Sequence, residues 1–214
     1  MPKGKYVVIE GSDGTGKSTQ VRLLRQYLQK NGIDSIEFHE PEDATLPITS
    51  KIRNIIKDKN LERKPETNLL LFTISRHEIW HKRAKPALES GVWVVASRNY
   101  FSTLVYQGFG EGLDRDLIML ITKSFTSEDY LSPDGSVILT LENESERLKR
   151  ITHRDGKSPS DTFESRDQKF QKKLFDGYVE LAKQMNIPAI DSNISPENLN
   201  KKIVKELSAQ IGKF

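Results

Sequence analysis

At 214 residues, with 36% hydrophobic and 29% charged side chains, the chain has the make-up of a globular protein with a buried core: one large α/β domain or two small ones. It has no cysteine, which excludes disulfides, thiolate metal sites and cysteine nucleophiles. A net charge of +3 is too mild to point to nucleic acid, and neither a signal peptide nor a run near the roughly 18 apolar residues of a membrane helix occurs, so a cytoplasmic protein with a small anionic ligand is expected.

The first apolar run, 6–9, predicts a strand, and "GSDGTGKST" at 11–19 follows it directly. That stretch fits the phosphate-binding pattern G-x-x-x-x-G-K-[ST] through Gly11, Gly16, Lys17 and Ser18. Behind it, Val21, Leu23, Leu24 and Leu28 predict a helix over 17–31, closed by Asn31-Gly32. A plain Gly-rich turn does not need that strand–loop–helix setting. Glycines let successive backbone amides converge on phosphate oxygens, and the helix N-terminus adds favourable partial charge. Gly11, Ser12, Asp13, Gly14, Thr15, Gly16, Lys17, Ser18 and Thr19 are therefore the candidate ATP site. Lys17 would reach the β/γ-phosphates and Ser18 would ligate Mg²⁺.

Further strands are predicted at 33–38, 92–96, 137–141 and 187–190. Helices are predicted near 48–58, 66–89, 113–125, 142–152, 164–186 and 196–211, the last opened by Ser195-Pro196-Glu197. Strands separated by helices indicate one domain with a parallel sheet and crossovers on both faces. Within "LLLFTISRHEIW", Phe72 and Arg76 share a helical face, a ring and a guanidinium able to stack a base and hold a phosphate. Taken alone, the pair is better read as a core ring beside a snorkelling Arg. Arg98 follows a buried-looking strand, at the strand end that faces the ligand crevice in open α/β sheets. Tyr106 and Gln107 come two turns later, a stacking group beside an amide.

At "IEGSDGTGKST", "LLLFTISR", "SRNYFSTLVYQG" and "LKRITHRDGKSPSDTFES" the chain resembles the thymidylate kinases. The resemblance runs from the phosphate loop to the C-terminal helix. It implies a P-loop kinase fold over residues 1–214, α/β with a five-stranded parallel sheet flanked by helices on both faces, and usually a homodimer. It also implies ATP-dependent phosphorylation of dTMP to dTDP in dTTP biosynthesis, with Mg²⁺. By match, Asp13 resembles the acidic loop residue near the sugar 3′-hydroxyl. Phe72 resembles the thymine stacker, and Arg76 and Arg98 the monophosphate clamps. Thr103 and Gln107 fall near the base, and Tyr106 where a ring disfavours ribonucleotides.

Five Lys/Arg lie between Arg147 and Lys157 against one acid, Asp155, and lead into the polar "DGKSPSD". This reads as a lid near 150–163. Some family members carry a catalytic Arg in the phosphate loop and others supply it from the lid. Gly14 places this chain with the second kind, and Arg150 and Arg154 are the candidates. Asp13, Lys17, Arg98, Arg150 and Arg154 thus form the expected catalytic set. Ser97 stands where the family has Asp, and "HEPEDAT" replaces "REPGGT", so His39 takes the place of an Arg and Glu42-Asp43 bring two acids near the acceptor phosphate. "DTFE" lacks the Arg of the family's lid exit. A related kinase acting on another nucleoside monophosphate or on a deoxynucleoside is the alternative.

Overall fold

The computed structural model describes residues 2–155, 163 and 166–214, the side chains of 154 and 155 excepted. Among these residues five parallel strands form one sheet in the order β2-β3-β1-β4-β5. Central β1 (Tyr6–Gly11) pairs with β3 (Trp93–Ser97) on one side and β4 (Gly135–Thr140) on the other. Beyond them, β2 (Ser35–His39) joins β3, and β5 (Ala189–Asp191) joins β4. All five strands lie within two residues of their predicted spans.

Both faces of the sheet are covered, which is why its strands read as unbroken apolar runs rather than alternating ones. Val7, Ile9, Val95, Val137 and Leu139 face α1 (Lys17–Lys30) and α10 (Pro196–Ile211), meeting Leu24, Leu28, Ile203 and Leu207. Val8, Val94, Ala96 and Ile138 point the other way, into a larger cluster with Trp80, Tyr100, Phe101, Tyr130 and Tyr178. That cluster draws on α2 (Pro47–Lys57), α3 (Pro65–Ile79), α6 (Arg115–Phe125), α7 (Glu128–Leu131) and α9 (Gln168–Gln184). The predicted caps form: Ser195 Oγ accepts from Asn198 N at 3.3 Å, and Gly32 takes a φ of 74°.

Two segments depart from the sequence periodicity. The single helix predicted over 66–89 is α3, a π-helical turn Trp80–Ala84 and α4 (Lys85–Glu89). Pro86 has no N–H to donate to the turn before it, so the regular bonding pattern cannot run through. More important for the site, residues 100–110, where no helix is predicted, form α5 (Tyr100–Thr103) and a π-helical turn, Leu104–Gly110. This segment is buried nearly all round, so it carries no amphipathic stripe to read. Asn99 caps it, accepting from Phe101 N at 2.9 Å.

The turn Leu104–Gly110 lies so close to α9 that glycines are needed at the contact. A Cβ added at Gly177 would stand 2.9 Å from Phe109 Cβ, and one at Gly110 2.8 Å from Phe170 Cε2. Overpacking of this kind costs about 1–3 kcal/mol. Gly177→Ala is therefore expected to lower the unfolding free energy by about that amount in denaturant titration. A variant as stable as the parent would show that the two elements separate without cost.

Candidate active site

The phosphate loop joins the C-terminal end of β1 to α1, with Gly11, Gly14 and Gly16 at φ values of 143°, 86° and 90° that disfavour side chains. Gln20 N makes the helix's first internal bond, to Gly16 O at 3.0 Å, so the amides of Lys17, Ser18 and Thr19 point out of the helix N-terminus. Thr15 Oγ1 donates to Ser12 O at 2.8 Å. Lys17 is 7% exposed; its Nζ donates to Ser12 O at 2.7 Å and lies 3.9 Å from Asp13. Ser18 is exposed at the floor of a wide cleft. All the loop residues from Asp13 to Thr19 line that cleft.

A second, narrower cavity opens beside the first. Phe72, Arg76, Arg98, Thr103, Tyr106 and Gln107, the whole predicted acceptor set, line it. Arg76 is 2% exposed: Nε donates to Glu40 Oε2 at 2.7 Å and Nη2 to Asn99 O at 3.0 Å, while Nη1 has no partner. Burial pushes the Glu40 carboxyl up from its usual range, against the pull of Arg76 and of Tyr130, whose hydroxyl donates to it at 2.8 Å. Among the described residues, Thr103 Oγ1 and Gln107 Oε1 are likewise buried without a partner. Unpaired polar atoms lining a cavity mark hydrogen bonds that a ligand can complete.

Arg98 holds a left-handed backbone, φ 74°, which is uncommon for a non-Gly residue and is typical of functional turns. Its Nη2 donates to Asp13 Oδ1, and its Nη1 to Ser102 Oγ at 3.0 Å. Tyr106 OH donates to Asp13 Oδ2 at 3.0 Å, and the Arg98 guanidinium lies 5.5 Å from the Tyr106 ring. Asp13 thus ties the loop to the residues of the second cavity. The two cavities share Asp13, Glu40, Pro41, Arg53 and Arg98 in their walls.

The predicted lid cations are less fully placed. Arg150, on α8 (Glu144–Asp155), lines the phosphate cleft but not the second cavity. Its Nε donates to Glu146 Oε1 at 2.9 Å and its Nη1 to Ser192 O at 3.2 Å. The Arg154 side chain and most of "DGKSPSD" and "DTFE" fall outside the described residues. Of the two acids after the second strand, Asp43 turns away: Thr45 N donates to it at 2.8 Å and Arg83 Nε at 3.2 Å. Glu42 stays in the cleft wall with His39 and Ser97. Burial, assisted by Lys17 and opposed by Glu37, holds the His39 imidazole below its ordinary value.

Sequence reasoning missed one contributor and saw two others only in part. Arg53, in the wall of both cavities, reads as an ordinary surface cation on α2. Arg147, read only as one of the basic run before the lid, is 4% exposed, pairs with Glu144 and donates from Nη1 to Asp13 O at 3.4 Å. Glu10 reads from the sequence as an acid able to stand in for the one absent at Ser97. An acid inside the apolar run "VVIEG" was its signal. Its carboxylate accepts from Gly11 N (2.8 Å), Asn99 N (3.1 Å), Ser102 Oγ (2.9 Å) and Tyr178 OH (3.0 Å).

A family model described as thymidylate kinase matches residues 9–203. The chain is 32% identical over 199 residues to a thymidylate kinase of Carboxydothermus hydrogenoformans, covering 92% of this chain and 93% of that one. It is 35% identical over 181 residues to one of Caldanaerobacter subterraneus subsp. tengcongensis, covering 85% and 83%. The crystal structure of thymidylate kinase from Ehrlichia chaffeensis shares the fold, with a TM-score of 0.72, 24% identity, and 97% and 99% of the two chains covered.

The Glu10 carboxylate is 0% exposed and acts only as an acceptor. Glu10→Gln would turn an amide NH₂ toward groups that are themselves donors. Removing one side of a buried charged network costs about 3–5 kcal/mol, and an isosteric amide keeps part of it. Glu10→Gln is expected to lose about 2–4 kcal/mol of unfolding free energy by denaturant titration. A loss under roughly 1 kcal/mol would show that the network is dispensable.

Proposed function

The chain belongs to the thymidylate kinase family, and we propose that its two-part cleft transfers the γ-phosphoryl group of ATP to the 5′-phosphate of dTMP, giving dTDP. One observation carries the reading at the level of residues: a phosphate loop and a separate cavity lined by Phe72, Arg76 and Gln107 meet at a wall that holds Asp13 and Arg98. A switch or motor protein needs only the loop. Transfer between two phosphates needs both sites in contact, with cations where they join.

In this reading, residues 11–19 wrap the ATP phosphates with backbone amides, and Lys17 neutralises charge at the β/γ end. Arg98 and the open Nη1 of Arg76 hold the acceptor phosphate in line with the γ-phosphorus. Phe72 stacks the base, while Thr103 and Gln107 complete its edge. Tyr106 and Asp13 hold the sugar side, the ring against C2′ and the carboxylate toward the 3′-hydroxyl. Arg150, which lines the phosphate cleft from α8 and rests on Glu146 and Ser192 O, and Arg154 are the cations that stabilise the transferring group, within a lid near 150–163 of a single domain.

Mg²⁺ fits the donor set. Ser18 offers a hard hydroxyl oxygen at the first turn of α1, and Mg²⁺ takes such oxygens together with phosphate and retained waters. Among the described residues no group of three or more His, Cys, Asp or Glu stands ready to hold a metal without the nucleotide. Bound there, Mg²⁺ supplies charge neutralisation across the phosphates. No helix among the described residues is long and apolar enough to cross a membrane, and the cytoplasm is the proposed location.

Leu70 and Ile74 on α3 and Leu117, Leu120 and Phe125 on α6 are exposed, on helices joined where His77 Nδ1 meets Phe125 O at 2.7 Å. A second copy of the chain is the proposed cover for this apolar face. Light scattering is expected to give twice the 24.4 kDa of one chain, and a monomer mass at micromolar protein would exclude it.

A coupled ADP-release assay across dTMP, dUMP, dCMP, dAMP and thymidine tests the acceptor. The highest kcat/KM is expected for dTMP, with thymidine inert because it lacks the phosphate that Arg76 and Arg98 hold. Equal or greater turnover of another acceptor would remove dTMP and leave the related-kinase alternative.

A further inference from the structure

The amide of Gln107 is held one way round. Its Nε2 donates to Glu111 Oε2 at 3.1 Å, and Arg166 Nη1 donates to the other carboxylate oxygen, Oε1, at 2.9 Å. An ionised carboxylate accepts and cannot donate, so Gln107 must present its NH₂ to Glu111 and keep its carbonyl oxygen on the other side. That oxygen is buried and has no partner. Gln107 is 0% exposed, Glu111 has an 8% exposed side chain, and Gln107 lines the acceptor cavity. Thr103, another polar group there with an unpartnered atom, is a hydroxyl that can donate or accept, so it does not discriminate between base edges by itself.

We propose that Glu111 is a positioning residue. It locks Gln107 with its carbonyl oxygen as the hydrogen-bond acceptor for the acceptor base, so the cavity selects a pyrimidine with an imide N–H over one with a bare ring nitrogen. Thymine and uracil carry that N–H at N3, whereas cytosine has a lone pair there that would face the lone pairs of Oε1. The inference rests on the reading of this cavity as the monophosphate acceptor site.

Arg166 makes the lock dependent on the chain that follows the lid. Its guanidinium lies 3.8 Å from the Phe170 ring centroid, and its backbone N donates to Phe163 O at 3.3 Å. Phe163 itself lines the acceptor cavity and packs on Phe72, ring centroids 6.2 Å apart. The same short stretch therefore walls the base and holds the residue that orients Gln107.

Calorimetric binding of dTMP and dCMP to the parent protein, Glu111→Ala, Glu111→Gln and Gln107→Ala tests this, with steady-state kinetics beside it. In Glu111→Ala the amide is free to flip, and the dTMP-to-dCMP affinity ratio is expected to fall about tenfold, the scale of one misdirected buried hydrogen bond. The loss should appear in the KM for dTMP rather than in kcat. Glu111→Gln should be intermediate, since its carbonyl still accepts from Gln107 but its NH₂ also permits the flipped arrangement. It carries the test if the alanine variant does not fold. In a Gln107→Ala background, Glu111→Ala should not change the ratio further. An unchanged ratio in a folded Glu111 variant, or additive effects in the double variant, overturns the proposal. If the parent turns over dTMP and the ratio does not move, only the role of Glu111 falls. If the ratio moves but dTMP is not a substrate, the acceptor reading falls instead.

Discussion

The geometry of this protein depends on a carboxylate with no access to water. Glu10 ends the apolar run of β1, where charge is expensive, and it is tolerated because four donors converge on it. Those donors come from the phosphate loop (Gly11), the turn after β3 (Asn99), α5 (Ser102) and α9 (Tyr178). Each belongs to a different part of the site. Arg98 Nη1 also lies 3.6 Å from Glu10, so the carboxylate balances the strained, positive-φ residue that bridges the two cavities. A buried charge satisfied from several elements at once permits one arrangement of those elements and penalises slippage among them.

The acceptor cavity uses a second buried charge in the opposite way. Arg76 is paired with Glu40 but incompletely, and its Nη1 is left unpartnered. Tyr130 OH and Asn99 O take up the remaining bonds of the pair, so nothing among the described residues competes for that nitrogen. A desolvated guanidinium with one unused donor interacts strongly with a phosphate that enters it, since the cost of stripping water from the cation is already met in folding. The buried pair contributes preorganisation more than stability.

What was legible in the sequence follows from how local each signal is. The phosphate loop is a contiguous pattern, and its strand–loop–helix setting is contiguous too, so every residue from Asp13 to Thr19 falls in one cleft wall. The strands were legible because two-sided burial writes an unbroken apolar run. Residues 100–110 were not, because burial all round removes the periodicity that marks a helix, although Tyr106 and Gln107 on it stood out as a stacking group beside an amide downstream of Arg98. Glu10 and Glu40 act through partners as much as 168 residues distant, the span from Glu10 to Tyr178, and Arg166 meets Glu111 across 55. No local pattern encodes such pairings. Arg150 was legible as one of a basic run, but its direction was not, since that is set by Ser192, which follows the edge strand β5.

The glycine at position 14 shows how the loop and the lid helix constrain each other. A Cβ there would meet Arg147 O and Arg147 Cγ at 2.9 Å, and the φ of 86° already disfavours any side chain. The loop therefore cannot carry a cation at this point while α8 lies against it. Arg147 supplies positive charge from α8 instead, reaching Asp13 O. Beyond α8, Arg166 is bound to Glu111 beside the second cavity. Described residues on the two sides of the predicted lid thus touch the phosphate loop and the wall of the second cavity respectively.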